Sequence, residues 1–192
     1  MNTRKACVVT SVLLSLVSFS GHATYGCRVP KTPPLKLVSE SEFIVRVTAV
    51  KYVLEPVGDI RSLNTPSNAE IEFRVEEVLK GKDVPATLTL FGYLTDKDDY
   101  NDVPVPYDFV RPNGRGGSCQ AYEYKHGAEF LLFLKKRENR FILQPYGLAP
   151  TNEQLRSKDD QWLIWVRESV SAQGASRISE SGFNRAQINF LP

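Results

Sequence analysis

The chain has 192 residues, of which 42% are hydrophobic and 24% are charged, so it is long and apolar enough to bury a sizeable core in one domain. Its 24 basic and 22 acidic side chains nearly cancel. This balance argues against a general electrostatic attraction to nucleic acid.

The first 23 residues have the layout of a secretory signal peptide. Arg4 and Lys5 precede an apolar run at 7–19, and small residues follow as far as Ala23. The run is shorter than the ~20 residues that a helix needs to cross a bilayer, and no second hydrophobic span follows it. We therefore predict an exported protein, in the periplasm or outside a bacterial cell, that starts at Thr24 and has no transmembrane segment in its mature chain.

Removal of the signal peptide changes both the charge and the cysteine count. Arg4 and Lys5 leave, so the mature chain carries equal numbers of basic and acidic side chains. Cys7 also leaves, and only Cys27 and Cys119 remain in an oxidising compartment, which favours a disulfide between them. Two free thiols are the alternative.

Several segments have the apolar pattern of β-strands. Three of them alternate apolar and polar residues, and they cover residues 42–54, 68–79 and 86–93. In the second, the alternation breaks at Glu76 and Glu77, which predicts a β-bulge there. Residues 130–134 are continuously apolar, as is typical of a strand buried on both faces, and residues 140–146 complete a hairpin with them.

After residue 150 the apolar period changes to that of a helix. Capping-box spacings begin at Thr151 and at Ser157. Four apolar residues share one helical face: Trp162, Trp165, Val166 and Val170. They predict an amphipathic helix over 159–170 that packs on the sheet, which we favour over a carbohydrate-stacking platform of tryptophans. Residues 171–192 are predicted to form a mobile tail.

Five strands followed by one late helix predict a mainly β fold, namely a five-stranded OB-like barrel with a C-terminal helix. The barrel would occupy residues 24–150, and the helix would belong to the segment 151–170, packed on the barrel. An immunoglobulin-like sandwich is the alternative, but that fold needs about seven strands.

Residues 94–118 predict a long loop, because they are rich in proline, glycine and acidic side chains. Its candidate partner-binding residues are of types favoured at protein interfaces: Tyr100, Tyr107, Phe109, Arg111 and Arg115. The alternative is a flap folded over one end of the barrel.

The aspartates of this loop are Asp96, Asp98, Asp99 and Asp102. They lack the glycine and glutamate spacing of a calcium-binding EF-hand, so we predict a solvated loop and no metal site.

Three pieces of the sequence, in this order, resemble the netrin-like module of the tissue inhibitors of metalloproteinases and of related bacterial exported proteins. They begin at Phe43 (FIVRVT), at Phe73 (FRVEEVLKG) and at Cys119 (CQAYEY, followed by GAEFLLF). The resemblance implies a five-stranded OB-type barrel in which Cys27 bonds to Cys119, with Phe130 in the place of the family's usual tyrosine.

In that family, an N-terminal cysteine binds the catalytic zinc of the protease, and a Cys-x-Cys start supports it. This sequence departs from that pattern, because Val29 replaces the second cysteine and Thr24 would be the first residue. A metalloprotease inhibitor acting through an N-terminal Cys27 stays an alternative, since cleavage after Gly26 would expose that cysteine.

No catalytic constellation is evident from the sequence. His126 is the only histidine of the mature chain, which excludes a two-histidine metal site, and beside Gly127 it is predicted to be an exposed turn residue. We therefore predict a non-catalytic binding module with a protein partner and no cofactor. An envelope structural component and a hydrolase built on carboxylates such as Asp98 and Glu123 are the alternatives.

Overall fold

The computed structural model of the protein describes residues 33–57, 68–115, 121–144 and 152–187, with side chains as far as residue 175. The predicted signal peptide, Cys27 and Cys119 lie outside these residues. The strands are β1 Phe43–Leu54, β2 Glu70–Lys80, β3 Thr87–Phe91, β4 Tyr93–Thr95, β5 Glu123–Lys125, β6 Glu129–Arg137, β7 Arg140–Leu143 and β8 Asn152–Gln154. The helices are α1 Pro34–Glu40, α2 Pro112–Arg115 and α3 Gln161–Gln187.

Most strands belong to one antiparallel sheet. Its order is β3-β2-β1-β6-β7, and β8 also pairs with β6, whereas β4 and β5 form a separate parallel pair. Among the described residues no ladder joins β3 to β7, so the sheet is not closed into a barrel. The predicted mainly β fold with a C-terminal helix is confirmed, and the closed five-stranded barrel is not.

The alternating segments form strands where the sequence predicts them, including the bulge in the second one. Arg46 of β1 pairs with Glu77 of β2, and the next residue, Val47, pairs with Val75. Glu76 is therefore an extra residue on β2, which is the β-bulge expected from the broken alternation. Such a bulge bends the strand, and beyond it Val78 is exposed while Leu79 packs against the other core cluster from that of Phe73.

Strand β6 is the centre of the fold. Phe130, Leu132 and Leu134 belong to one core cluster, and Leu131 and Phe133 belong to the other. This burial on both faces confirms the prediction from the continuous apolar run. The first cluster lies on one face of the sheet together with Tyr124 of β5, whereas the second lies between the other face and the helices α1 and α3.

The turn from β6 to β7 has two central residues with positive φ, Glu138 at 48° and Asn139 at 65°. These values are typical of a type I′ hairpin turn, whose twist matches that of the flanking strands. The predicted hairpin is therefore confirmed, with β7 ending at Leu143.

The C-terminal helix begins at Gln161, two residues after the predicted start at Asp159. The earlier capping-box spacing, at Thr151, does not start a helix, because residues 152–154 form β8. Asp160 caps it, because its Oδ1 accepts a hydrogen bond from the Trp162 N–H at 2.9 Å. The helix continues to Gln187, beyond the predicted end at Val170. No described helix is both long and apolar enough to cross a membrane.

The predicted packing face of α3 is confirmed. Trp162 and Val166 are fully buried in the cluster between sheet and helices, and Trp165 and Val170 pack against its edge. A chain of charges adds to this contact: Arg167 of α3 binds Glu77 of β2 at 2.6 Å, and that carboxylate also binds Arg46 of β1. Because these groups are partly exposed, each pair contributes at most about 1 kcal/mol.

Candidate functional site

Arg111, a predicted partner-binding residue, lies at the centre of a buried polar network. Its side chain is 0% exposed. One guanidinium nitrogen donates to Asp99 Oδ2 at 2.8 Å, and another donates to the carbonyls of Glu123 at 2.8 Å and Ala121 at 3.2 Å. The guanidinium also lies against the ring of Tyr124. Arg111 therefore ties the loop to β5 and cannot contact a partner while it stays buried.

The other four predicted residues divide between the interior and the surface. Tyr107 is 8% exposed and packs on Trp162, with ring centroids 5.0 Å apart. Arg115 donates to a backbone carbonyl of its own loop at 2.8 Å. Phe109 and Tyr100 are partly exposed. The loop is thus mostly a flap packed on the domain, and Tyr100 borders a polar cleft.

The aspartates of this loop are mostly engaged by cations of the protein itself. Lys125 donates to Asp98 at 2.8 Å and so lowers the pKa of that carboxyl, and Arg115 does the same for Asp102 at 2.9 Å. Asp99 belongs to the buried network. In the described ranges, no group of three or more acidic, histidine or cysteine side chains is placed to hold a metal ion.

His126 is exposed in the turn before β6, as predicted. Gly127 follows it with φ at 73°, a left-handed conformation that glycine adopts without strain. His126 borders the same polar cleft as Tyr100.

Glu153 is a buried titratable residue that the sequence patterns did not identify. It lies in the centre of β8, is 0% exposed, and neither of its carboxylate oxygens has a hydrogen-bond partner among the described residues. Burial raises the pKa of this carboxyl to about 7, although the nearby charge of Arg111 opposes the shift. Nothing in the sequence indicated this burial, because Glu153 is a charged residue in a segment where a helix start was predicted.

We expect Glu153→Gln to remove a pH-dependent loss of stability. The folded state binds this proton more tightly than the unfolded chain, so the ionised carboxylate destabilises the fold fully above pH 7 and less and less as the pH falls toward 4.5. We compare the free energy of unfolding of the variant with that of the parent. Because of the shift in pKa, the difference should change by about 3 kcal/mol in favour of the variant between pH 5 and pH 8. Urea unfolding at both pH values measures this difference. A difference that does not change with pH would contradict the raised pKa of Glu153.

A groove of about 520 Å³ lies where the sheet is left open. One side is β3 and the other is β7, the two end strands of the sheet order. Its apolar lining is formed by Leu90, Phe91, Tyr122, Phe141, Ile142 and Leu143. Its charged residues balance, since Arg137 and Arg140 are matched by Glu70 and Glu138, and Arg140 forms a salt bridge with Glu70. This volume is in the range of sites that bind small ligands or short peptide segments.

The outer edge of β3 has backbone groups that no other described strand pairs. Gly92 N–H donates to Ala69, and Val75 N–H donates to Ala86, so these opposite residues are the hydrogen-bonded pairs of the ladder. The alternate residues of an antiparallel strand direct their N–H and C=O groups to the other side. On β3 those residues are Thr87, Thr89 and Phe91.

Strand β7 also has backbone groups that face away from its neighbour in the sheet. Gln144 N–H donates to the carbonyl of Phe133, which makes this a hydrogen-bonded pair. Phe141 and Leu143 therefore direct their backbone groups away from β6, and both residues line the groove. In the part of the chain that the structure describes, two strand edges whose outward backbone groups no other strand pairs thus border one apolar groove.

Aromatic rings form one wall of the groove. Phe91 is 39% exposed, and its ring makes edge contacts with Tyr122 at 5.0 Å and with Tyr93 at 5.5 Å between centroids. Rings held in this way present apolar area at a small entropic cost on binding. The alternation of β3 indicated that Phe91 faces outward, but its contact with Tyr122, 31 positions away in the chain, could not be predicted from that pattern.

No family model matches the chain, and no curated protein matches it.

Proposed function

We propose that this protein is a non-catalytic binding module that holds an extended segment of a partner protein in the groove between β3 and β7. The observation that carries the proposal is the pair of strand edges, with outward-facing backbone groups, on either side of one apolar groove. An extended polypeptide can satisfy such groups with its own N–H and C=O groups, which is the mode known as β-strand addition.

The lining of the groove favours a segment with apolar side chains and little net charge. Phe91, Tyr122 and Phe141 offer rings to the side chains of the segment, and the charged residues at the groove are balanced. A nucleic acid would need an excess of basic residues, which the groove lacks. A sugar would stack on the rings but would leave the strand edges unpaired.

We further propose that β3 and β7 form the seam of an open OB-like barrel of the netrin-like type. The strand order and the resemblance around Phe43, Phe73 and Cys119 support this relation. We also propose that the protein is exported and that Cys27 bonds to Cys119, as the N-terminal sequence favours. The intact mass of the secreted protein, before and after thiol reduction, tests export and the disulfide together.

We expect the groove to select peptides that bind as strands. Heptapeptides from a random display library, selected on the secreted protein, should shift the amide signals of β3 and β7 in NMR spectra. Phe91→Ala should weaken the selected peptides about tenfold, because an aromatic anchor is lost. N-methylation of alternate peptide amides should abolish binding, since the pairing with the strand edge is removed.

Leu35→Ala is the matched control, because Leu35 is an exposed apolar residue on α1, away from the groove. It should leave the affinity unchanged. Selected peptides that bind equally well to Phe91→Ala, or whose amide shifts fall outside β3 and β7, would contradict the proposal. So would a selection that enriches no peptide.

A further inference from the structure

A second site lies near the opposite end of β6. A polar cleft of about 430 Å³ is bordered by Glu129, the first residue of β6, whereas the groove is bordered by Arg137, the last one. A strand of this length separates the two positions by up to about 27 Å. The remaining walls of the cleft come from the His126 turn and from the segment between β8 and α3.

The cleft contains more cations than its carboxylates can neutralise. Its basic residues are Lys125, Arg156 and Lys158, with His126 beside them. Its two carboxylates already have partners: Asp98 binds Lys125 at 2.8 Å, and Glu129 binds Arg46, which lies outside the cleft, at 2.7 Å. Arg156 and Lys158 are left facing the cleft, and neither makes an ion pair with a carboxylate of the described residues.

Other acidic residues near Arg156 are also engaged. Asp102 forms its salt bridge with Arg115. Asp160 caps α3 and accepts the backbone N–H of Arg156 at 2.9 Å, so its oxygens are used by the main chain. Arg156 borders this cleft as well as the neighbouring one that contains Asp102, Asp159 and Asp160, and it makes no salt bridge with any of the three.

Arg156 is also held in place before any ligand arrives. Its guanidinium donates to the carbonyl of Asn101 at 3.1 Å and lies over the ring of Tyr100, 4.7 Å from the centroid. A stacked arginine with free donors is well suited to bind a phosphate, because less side-chain entropy is lost on binding.

We propose that this cleft binds a phosphate group carried by a small organic molecule or by a lipid. Arg156 and Lys158, neither of which is ion-paired among the described residues, supply two positive charges for a phosphate dianion, and His126 adds a further donor. The volume leaves room for a short organic part next to the phosphate. Because the formal net charge of the chain is only +2, this attraction is local to the cleft and does not come from the whole protein.

The test is a calorimetric and NMR titration of the secreted protein with glycerol phosphate at low ionic strength. Saturable binding with a Kd below about 1 mM is expected, with amide shifts at 125–129 and 156–158. Lys158→Ala should weaken the binding about tenfold, since a charge-assisted contact is lost. Lys158 is exposed, so this variant should fold like the parent.

Lys82→Ala is the matched control, because Lys82 is an exposed lysine in the turn between β2 and β3. Binding that both lysine variants weaken equally, or no saturable binding, would overturn the proposal. Vesicles of phosphatidic acid form the second arm: sedimentation that depends on Lys158 identifies a lipid headgroup, whereas binding of glycerol phosphate alone identifies a soluble phosphate ester. Phe91→Ala should leave either result unchanged, so failure at this cleft is distinguishable from failure at the groove.

Discussion

Replacing Arg111 with alanine is expected to lower the free energy of unfolding by about 3–5 kcal/mol, the range measured when one partner of a buried ion pair is removed. The side chain is fully buried, and its loss would leave the Asp99 carboxylate without its cation and the Glu123 carbonyl without the donor that Arg111 supplies. Urea unfolding followed by circular dichroism gives this difference directly.

Two further variants separate the charge from the packing. Arg74→Ala removes an exposed arginine that pairs with Glu76, and it should cost less than about 1 kcal/mol. Combining Arg111→Met with Asp99→Asn removes both charges while keeping most of the volume, and it should recover part of the loss, because the Asp99 side chain is then no longer a carboxylate without its cation. A cost for Arg111→Ala as small as that for Arg74→Ala would show that the network does not stabilise the fold.

The position of Arg111 illustrates what the sequence could not predict. Arginine and tyrosine in a loop rich in proline and glycine are the residue types of a binding surface, and nothing local distinguishes that role from a structural one. The distinction comes from partners distant in the chain: Ala121 and Glu123 lie about ten residues away, and Asn152 of β8 reaches the same carbonyl of Ala121. Such contacts depend on the tertiary fold.

The strands were predictable because their signal is local. Alternation identified β1, β2 and β3, and the interruption at Glu76 identified the bulge. The continuous apolar run of β6 indicated burial on both faces. Closure into a barrel depends on how β3 meets β7, two strands that are far apart in sequence, and no alternation pattern reports on that.

Strand β8 shows the opposite case, in which a local signal was misleading. Thr151 and Gln154 have the spacing of a capping box, but residues 152–154 pair with β6 and all three are buried. Their side chains bind other parts of the protein: Asn152 binds the Tyr124 hydroxyl, and Gln154 binds Asp98. These polar residues are buried because they bind other parts of the fold. Their spacing alone cannot be distinguished from that of a capping box.

Replacing Trp162 with alanine is the second large effect that we expect, a loss of about 3–5 kcal/mol in the free energy of unfolding. Trp162 is fully buried, stacks on Trp165 with centroids 5.0 Å apart, and also packs on Tyr107 and Phe133. Its removal would leave a large cavity between α3 and the sheet. The loss should appear in urea unfolding followed by far-ultraviolet circular dichroism, which does not depend on tryptophan emission.

Two control variants distinguish a packing role of the Trp162 ring from a hydrogen-bonding role of its indole N–H. Trp162 Nε1 has no hydrogen-bond partner among the described residues, so Trp162→Phe, which keeps an aromatic ring, should cost only about 1–2 kcal/mol. Ile164→Ala changes a residue of the same helix that is 40% exposed, and it should cost less than about 1 kcal/mol. If Trp162→Ala cost no more than Ile164→Ala, the helix would not be anchored by this face, and the tryptophans would again be open to a role as a stacking platform for a ligand.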